Sequence, residues 1–271
     1  MGFVPYVDVT SYPSFPIESV PFVKDFTLGF VIADSDNKPS WGGYYPVSSG
    51  FYRSSIEGVK EKGGDVIVSF GGQRGKELST VCNSHIDLFQ KYDEVIQKYD
   101  FKKVDFDIEG ELINDKSANV KRSDAIRLLV KKYPKLKISL TLPVNELGLS
   151  LKALEIVKNT PCDVVNIMAM DYGNGKGKMG QFAISAAKSV RAQTGKKIGI
   201  TVMIGQNDIV GEIFSLDDAK MVKKFADGND WVARLSMWSI NRDNGGKINL
   251  DKSSMIDQEK WAFSKVFIGV K

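Results

Sequence analysis

Short runs of nearly continuous or alternating apolar residues recur along the chain, separated by longer stretches with apolar residues every three or four positions. The first pattern predicts strands and the second amphipathic helices. Strands are expected at residues 3–9, 26–33, 65–70, 103–109, 137–142, 163–170, 197–204 and 233–240. Helices are expected at 49–62, along the stripe Ile86, Phe89, Tyr92, Ile96 and Tyr99, and at 119–133 before Pro134. Others follow at 149–159, at 180–193, from the capping residue Ser215 with its acidic first turn to Gly228, and at 256–268. Eight strands alternate with helices at the spacing of βα units, roughly 30–40 residues. Several strands are apolar at almost every position, as in parallel strands covered on both faces. The expectation is one (β/α)8 TIM barrel over residues 1–271 without a large inserted domain, a doubly wound open sheet being the alternative. Either fold puts chemistry at the C-terminal strand ends. There stand Asp8, Asp34, Ser69 to Gly72, Glu109, Pro143 to Asn145, Asp171-Tyr172, Gly205 to Asn207 and Trp238.

The fourth strand changes the picture. In Lys103-Val104-Asp105-Phe106-Asp107-Ile108-Glu109, apolar and acidic residues alternate. Successive strand side chains point to opposite faces, so three carboxylates share one face and Val104, Phe106 and Ile108 the other. Such a row repels itself and is costly to desolvate. Either it is a solvated edge or it performs chemistry, and its place as a central strand of a barrel favours chemistry.

Composition narrows the chemistry. Of 271 residues 42% are apolar and 26% charged, with a net charge of +4. The basic residues are dispersed, so no nucleic-acid footprint is expected. One histidine, His85, and two cysteines, Cys82 and Cys162, cannot build a structural zinc site or a disulfide framework. His85 reads as a surface or capping residue at a helix start. No run approaches membrane-spanning length and no signal peptide is expected within the chain, which leaves a domain of a longer secreted precursor or a cytoplasmic protein. The glycine-rich loop 173–177 follows the sixth strand, not the first, which argues against a dinucleotide site. A magnesium site drawing Asp8, Asp34 and Asp171 toward Glu109 stays open, although residues i and i+2 on one strand stand about 6.6 Å apart.

These motifs resemble glycoside hydrolase family 18, the chitinases and their relatives. The family's fourth-strand signature, Asp-Gly-x-Asp-x-Asp-x-Glu, is matched at its last three acids by Asp105, Asp107 and Glu109, while Lys102 and Lys103 replace the leading Asp-Gly. The third-strand Ser-x-Gly-Gly is matched by Ser69, Gly71 and Gly72. Met168-Ala169-Met170-Asp171 is similar to the family's Met-x-Tyr-Asp, with Met170 at the tyrosine, and Tyr172 follows one place on. Met237-Trp238-Ser239 resembles the segment whose tryptophan floors the sugar site. The opening strand, with Tyr6, resembles a bacterial and archaeal branch of the family.

The resemblance implies a chitinase that hydrolyses β-1,4 bonds between N-acetylglucosamine residues with retention, the substrate's own acetamido oxygen attacking the anomeric carbon. Glu109 would be the general acid and then the base. Asp107 would hold the acetamido N–H and share a proton with Asp105. Asp171 and Tyr172 would position the acetamido group and the water. Trp238 would stack on a sugar ring. Tyr6, Trp41, Ser69, Gly71, Gly72, Met168 and Met170 complete the expected binding set, with Tyr44 and Tyr45 as neighbours. No cofactor or metal is required. The expected partners are chitin or N-acetylglucosamine oligosaccharides, with no nucleic acid and no membrane, and the protein itself is expected to be a monomer. The segment after the seventh strand is too short for the small domain that walls some members' clefts, so internal cleavage is expected. An endo-β-N-acetylglucosaminidase acting on N-glycans and a non-catalytic chitin-binding relative remain the alternatives.

Overall fold

The computed structural model describes residues 2–270, which fall into two compact units. One comprises Asp8–Thr141 and Leu151–Asp163. Its sheet is a parallel ladder of Phe26–Ala33, Val66–Gly71, Lys103–Asp107 and the strand that begins at Lys137. In register, Ser69 pairs with Asp105 and Gly71 with Asp107 on one side. On the other, Ser139 pairs with Asp105 and Thr141 with Asp107. The apolar face of the acidic strand is sealed, with Val104, Phe106 and Ile108 each 1% exposed. The Phe106 ring lies 5.4 Å from Phe70 and 5.1 Å from Tyr92, an aromatic cluster that anchors the strand to its helix. A two-residue strand, Tyr45–Pro46, and its neighbour Pro39–Trp41 extend the edge beside Phe26–Ala33, two elements the apolar pattern did not predict.

The helices of this unit are Arg53–Glu61, Leu78–Val81, His85–Tyr99, Lys116–Lys132 and Leu151–Asn159. The first is shorter than expected because Gly50 and Tyr52 adopt positive φ, which separates it from the 3-10 turn Val47–Ser49. In His85–Tyr99 the buried stripe is Leu88, Tyr92, Val95, Ile96 and Tyr99, whereas Ile86 is exposed. At 3.6 residues per turn Ile86 lies about 120° around the helix from Tyr92, while Leu88 and Tyr99 nearly superpose. Ser84 caps this helix and His85 is exposed at its first position. Neither Cys82 nor Cys162 is in a disulfide, and burial pushes the Cys82 thiol up to about 11.

The second unit comprises residues 2–7, Leu142–Ser150 and 164–270. Its parallel ladder runs Val164–Ala169, Lys197–Met203, Val232–Trp238 and Gly2–Phe3. Pro5, which has no N–H to donate, divides the expected first strand, so that Tyr6–Asp8 is a separate element. After the strand Lys197–Met203 the chain forms a small hairpin, Gly205–Gln206 with Ile213–Phe214, absent from the predicted elements. The helices are Met179–Thr194, Leu216–Asp227 and Ala262–Ile268. Ser215 and Asp218 close a capping box on the second of these. The last begins later than expected, at Ala262 instead of residue 256. Among the described residues no helix is long and apolar enough to cross a membrane.

Candidate active site

The register around the acidic strand builds its site. Asp105 is fully buried and sits between two strands whose paired residues are serines. Ser69 Oγ donates to its Oδ2 at 2.8 Å, Ser139 Oγ donates to Oδ1, and Thr141 Oγ1 donates to both oxygens at 2.8 and 2.9 Å. Three hydroxyls from both neighbouring strands therefore solvate one carboxylate in place of water.

Asp107 is 4% exposed and differently placed: its Oδ1 is buried with no hydrogen-bond partner. Burial first, then the charges of Glu109 and Asp105, push its carboxyl well above the ordinary carboxylate range. Its main-chain oxygen explains the two glycines opposite. Gly71 has φ +104° and a Cβ there would lie 2.1 Å from the Asp107 carbonyl oxygen. Gly72, at φ +85°, donates its N–H to that same oxygen at 3.2 Å, and a Cβ on it would meet the Phe30 ring at 2.8 Å. The Ser-x-Gly-Gly pattern thus supplies one hydroxyl to Asp105, one bare backbone position against the Asp107 carbonyl oxygen and one against the Phe30 ring. Glu109 stands past the strand end, half-buried, as the cap residue of the 3-10 turn Gly110–Ile113.

The second unit carries its own polar cluster at the end of Val164–Ala169. Asp171 adopts φ +50°, uncommon for a residue with a side chain. Its N–H donates to Asn207 Oδ1 at 3.2 Å, and its Oδ1 accepts the Ile209 N–H at 3.0 Å. Burial raises its carboxyl, with Asp208 and Glu212 adding to the shift. The Tyr172 ring packs edge-on against Phe182 at 5.3 Å, and its hydroxyl is buried without a partner. Met168 is buried within the strand and Met170 half-buried just past it. Tyr6, expected in the binding set, is 2% exposed and meets the Trp238 ring at 6.2 Å between centroids, so it backs the tryptophan and has no face left for a sugar. Trp238 is half-buried, and the Trp238–Ser239 peptide is cis. Arg242 is buried and donates to the carbonyl oxygens of Trp238, Gln206 and Ser253, and desolvation lowers its guanidinium to about 10.

Trp41 requires a correction. It is 0% exposed, donates from Nε1 to Tyr99 Oη at 3.0 Å and meets the Tyr99 ring edge-on, so it is a core residue unable to meet a sugar. The exposed aromatics of that segment are Tyr44, 79% exposed, and Tyr45, which stacks on Phe51 at 4.0 Å. Asp8 and Asp34 serve local turns, Asp8 accepting from Thr10 and Asp34 from the N–H groups of Asp36 and Lys38. Among the described residues no three His, Cys, Asp or Glu side chains gather to hold a metal ion. Ser139 and Thr141 were missed by the reading of the sequence, although their alternation with Ile138, Leu140 and Leu142 put both on one face. Asn207 belongs to the segment expected at the end of the seventh strand, whereas nothing in the pattern marks Glu212.

No family model matches the chain. The catalytic domain of a hyperthermophilic chitinase from Pyrococcus furiosus superposes with a TM-score of 0.89 at 30% identity, over 98% of this chain and 93% of that one. A probable bifunctional chitinase/lysozyme of Escherichia coli K12 is 30% identical over 98% of this chain and 34% of its own length. Endochitinase 11 of Metarhizium anisopliae is 29% identical over 89% of this chain and 52% of its own. The chain thus spans between about a third and a half of the curated relatives it matches. The structural likeness shows the fold class that the strand and helix alternation predicted, a (β/α)8 barrel of the TIM type.

Proposed function

We propose, from the premise that the chain belongs to glycoside hydrolase family 18, that it cleaves β-1,4 bonds between N-acetylglucosamine residues of chitin with retention of configuration. The observation that carries this reading is the graded acidic strand: Asp105 buried and held by three hydroxyls, Asp107 buried with a free oxygen, Glu109 half-buried past its end. A substrate-assisted mechanism asks for one acid, because the sugar's acetamido oxygen is the nucleophile. Glu109 donates a proton to the leaving oxygen and then takes one from water. Asp107 accepts the acetamido N–H and faces the positive charge that develops on the oxazolinium ion, where a desolvated carboxylate acts most strongly. Asp105, held by three hydroxyls, lies one position deeper on the same face of the strand. Asp171 orients the acetamido group, and Trp238, backed by the buried Tyr6 ring, offers an apolar face to a sugar ring. The hairpin Gly205–Gln206 with Ile213–Phe214 and the helix Leu216–Asp227 fill the chain after the seventh strand, leaving no added domain there. That supports cleavage inside long chains, as the name endochitinase states for the Metarhizium protein.

The test is incubation with N-acetylglucosamine hexamer, with product lengths resolved by mass and the first product's anomer read by proton NMR. Internal products in the β configuration, formed equally with and without a chelator, are expected. Glu109→Gln is expected to abolish turnover while oligomer binding persists. An α first product, dependence on a divalent ion, or release from N-glycoproteins but not from the hexamer would each overturn the proposal.

A further inference from the structure

Glu212 is a buried carboxylate that the mechanism above does not use. It is 2% exposed, and its two oxygens accept from two backbone N–H groups of one loop: Tyr172 N donates to Oε2 at 2.8 Å and Gly175 N to Oε1 at 2.7 Å. Burying a carboxylate costs several kcal/mol unless its oxygens are satisfied, so a fold keeps one where its acceptors are needed. The loop it grips begins at Asp171, which stands in the left-handed region at φ +50°.

The same hairpin holds Asp171 from two further points, Asn207 Oδ1 accepting its N–H and Ile209 N donating to its carboxylate. The hairpin is itself stiff. Asn207 is fully buried, donates from Nδ2 to the carbonyls of Met203 and Gly205, and donates its N–H to Glu212 O at 2.9 Å. Glu212 N donates back to Ile209 O at 3.1 Å. The loop is therefore fastened to a rigid turn by four hydrogen bonds, two of them to one carboxylate.

We infer that Glu212 is a positioning residue for Asp171, clamping residues 172–175 so that the Asp171 carboxylate keeps the orientation required by the acetamido group. This rests on the assignment of Asp171 given above. The clamp also explains Gly175: a Cβ there would lie 2.6 Å from Met179 Sδ and 3.2 Å from Glu212 Oε1.

A double-mutant cycle with Asp171→Asn and Glu212→Gln, read as kcat and KM on N-acetylglucosamine hexamer, tests it. Gln keeps the shape but presents an amide N–H₂ to one of the two N–H groups, so one clamp bond is lost. Glu212→Gln alone is expected to lower kcat about 10- to 100-fold, as a displacement near 1 Å in a reacting geometry does. In the Asp171→Asn background the same change should cost less than about threefold, because a residue that acts through Asp171 has nothing left to position. Glu212→Asp, which keeps the charge but withdraws it by one methylene, carries the same cycle where Glu212→Gln does not fold. Equal losses in both backgrounds, or native kcat in a folded Glu212 variant while Asp171→Asn is impaired, would overturn the inference alone. Native rates in Asp171→Asn would overturn the parent assignment and the inference with it.

Discussion

Replacing Gly71 with alanine tests the join between strand register and chemistry. A Cβ at this position would lie 2.1 Å from the Asp107 carbonyl oxygen, where real Cβ atoms essentially never come within 3.0 Å. The obstacle is backbone on a central strand, so one of the two strands must move by about 1 Å. Three costs follow. Holding alanine at φ +104° costs about 1–2 kcal/mol. The overpacked contact costs about 1–3 kcal/mol. The Gly72 N–H bond to the same oxygen, 3.2 Å long, stretches, at about 1 kcal/mol. A loss of roughly 3–6 kcal/mol corresponds to a fall in Tm on the order of 10 °C or more for a chain of this size. Because the displaced carbonyl belongs to Asp107, kcat is expected to fall about 100-fold beyond any unfolding. The control is Gly63→Ala: φ is +75° with nothing within 4 Å of the added Cβ, so only the conformational cost applies and kcat should hold. Thermal unfolding by circular dichroism and kcat on an N-acetylglucosamine oligomer, measured on both variants below their Tm, decide it. If Gly71→Ala loses no more stability than Gly63→Ala and turns over at the native rate, the close approach is not what that glycine is for.

Further outcomes follow from the same geometry. Asp107→Asn should lose activity yet gain stability. The native carboxyl titrates above its unfolded value, so the folded state is favoured below about pH 4 and loses that advantage as pH rises toward the folded pKa. The Tm difference between variant and native chain should therefore widen in the variant's favour from acid to neutral pH, and a constant difference would contradict the shift. Trp41→Phe removes the donor to Tyr99 Oη and leaves a small cavity, for a loss of about 1–3 kcal/mol in denaturant unfolding, with KM unchanged. A raised KM would restore Trp41 to the binding set. Arg122→Met strands Glu77, whose ion pair at 3.0 Å is 2–3% exposed on both sides, and should cost about 3–5 kcal/mol. Adding Glu77→Gln should recover part of it, read as a rise in Tm of the double variant over the single one.

Much of this was legible in the sequence because strands announce themselves by period. Asp105, Asp107 and Glu109 needed only alternation to share a face, and the βα rhythm located the ends of the parallel strands. What escaped was whatever depends on register or on contacts distant in sequence. Ser139 and Thr141 were visible as polar positions on one strand, but only its pairing with Lys103–Asp107 turns them toward Asp105. Trp41 is expected in the binding set, and its local sequence carries no sign that it is core. The structure buries it against Tyr99, 58 residues away, to which it also donates a hydrogen bond. Ile86 fell off the helix stripe because two successive steps of three accumulate rotation that a list of spacings conceals. Glu212 lies in a hairpin whose strands are two residues each, too short for any periodic signal.

The row of carboxylates also settles where the fold accepts its electrostatic cost. A strand flanked by two parallel neighbours has on each side one residue in register with each acid. At Asp105 those residues are serines, with Thr141 reaching across, and all the hydroxyls point inward. At Asp107 one neighbour is Gly71, with no side chain, and the other is Thr141, whose hydroxyl is spent on Asp105. Solvation by the protein is thus given wholly to the deeper acid and withheld from the next. The penalty falls on Asp107, the group the mechanism needs to ionise only when a positive charge forms beside it. A serine at position 71 would have shared the hydroxyls more evenly, but its Cβ could not fit against the Asp107 carbonyl. The steric demand for glycine and the electrostatic demand for an unsatisfied carboxylate are therefore met by one residue, and relieving either one should trade activity for stability.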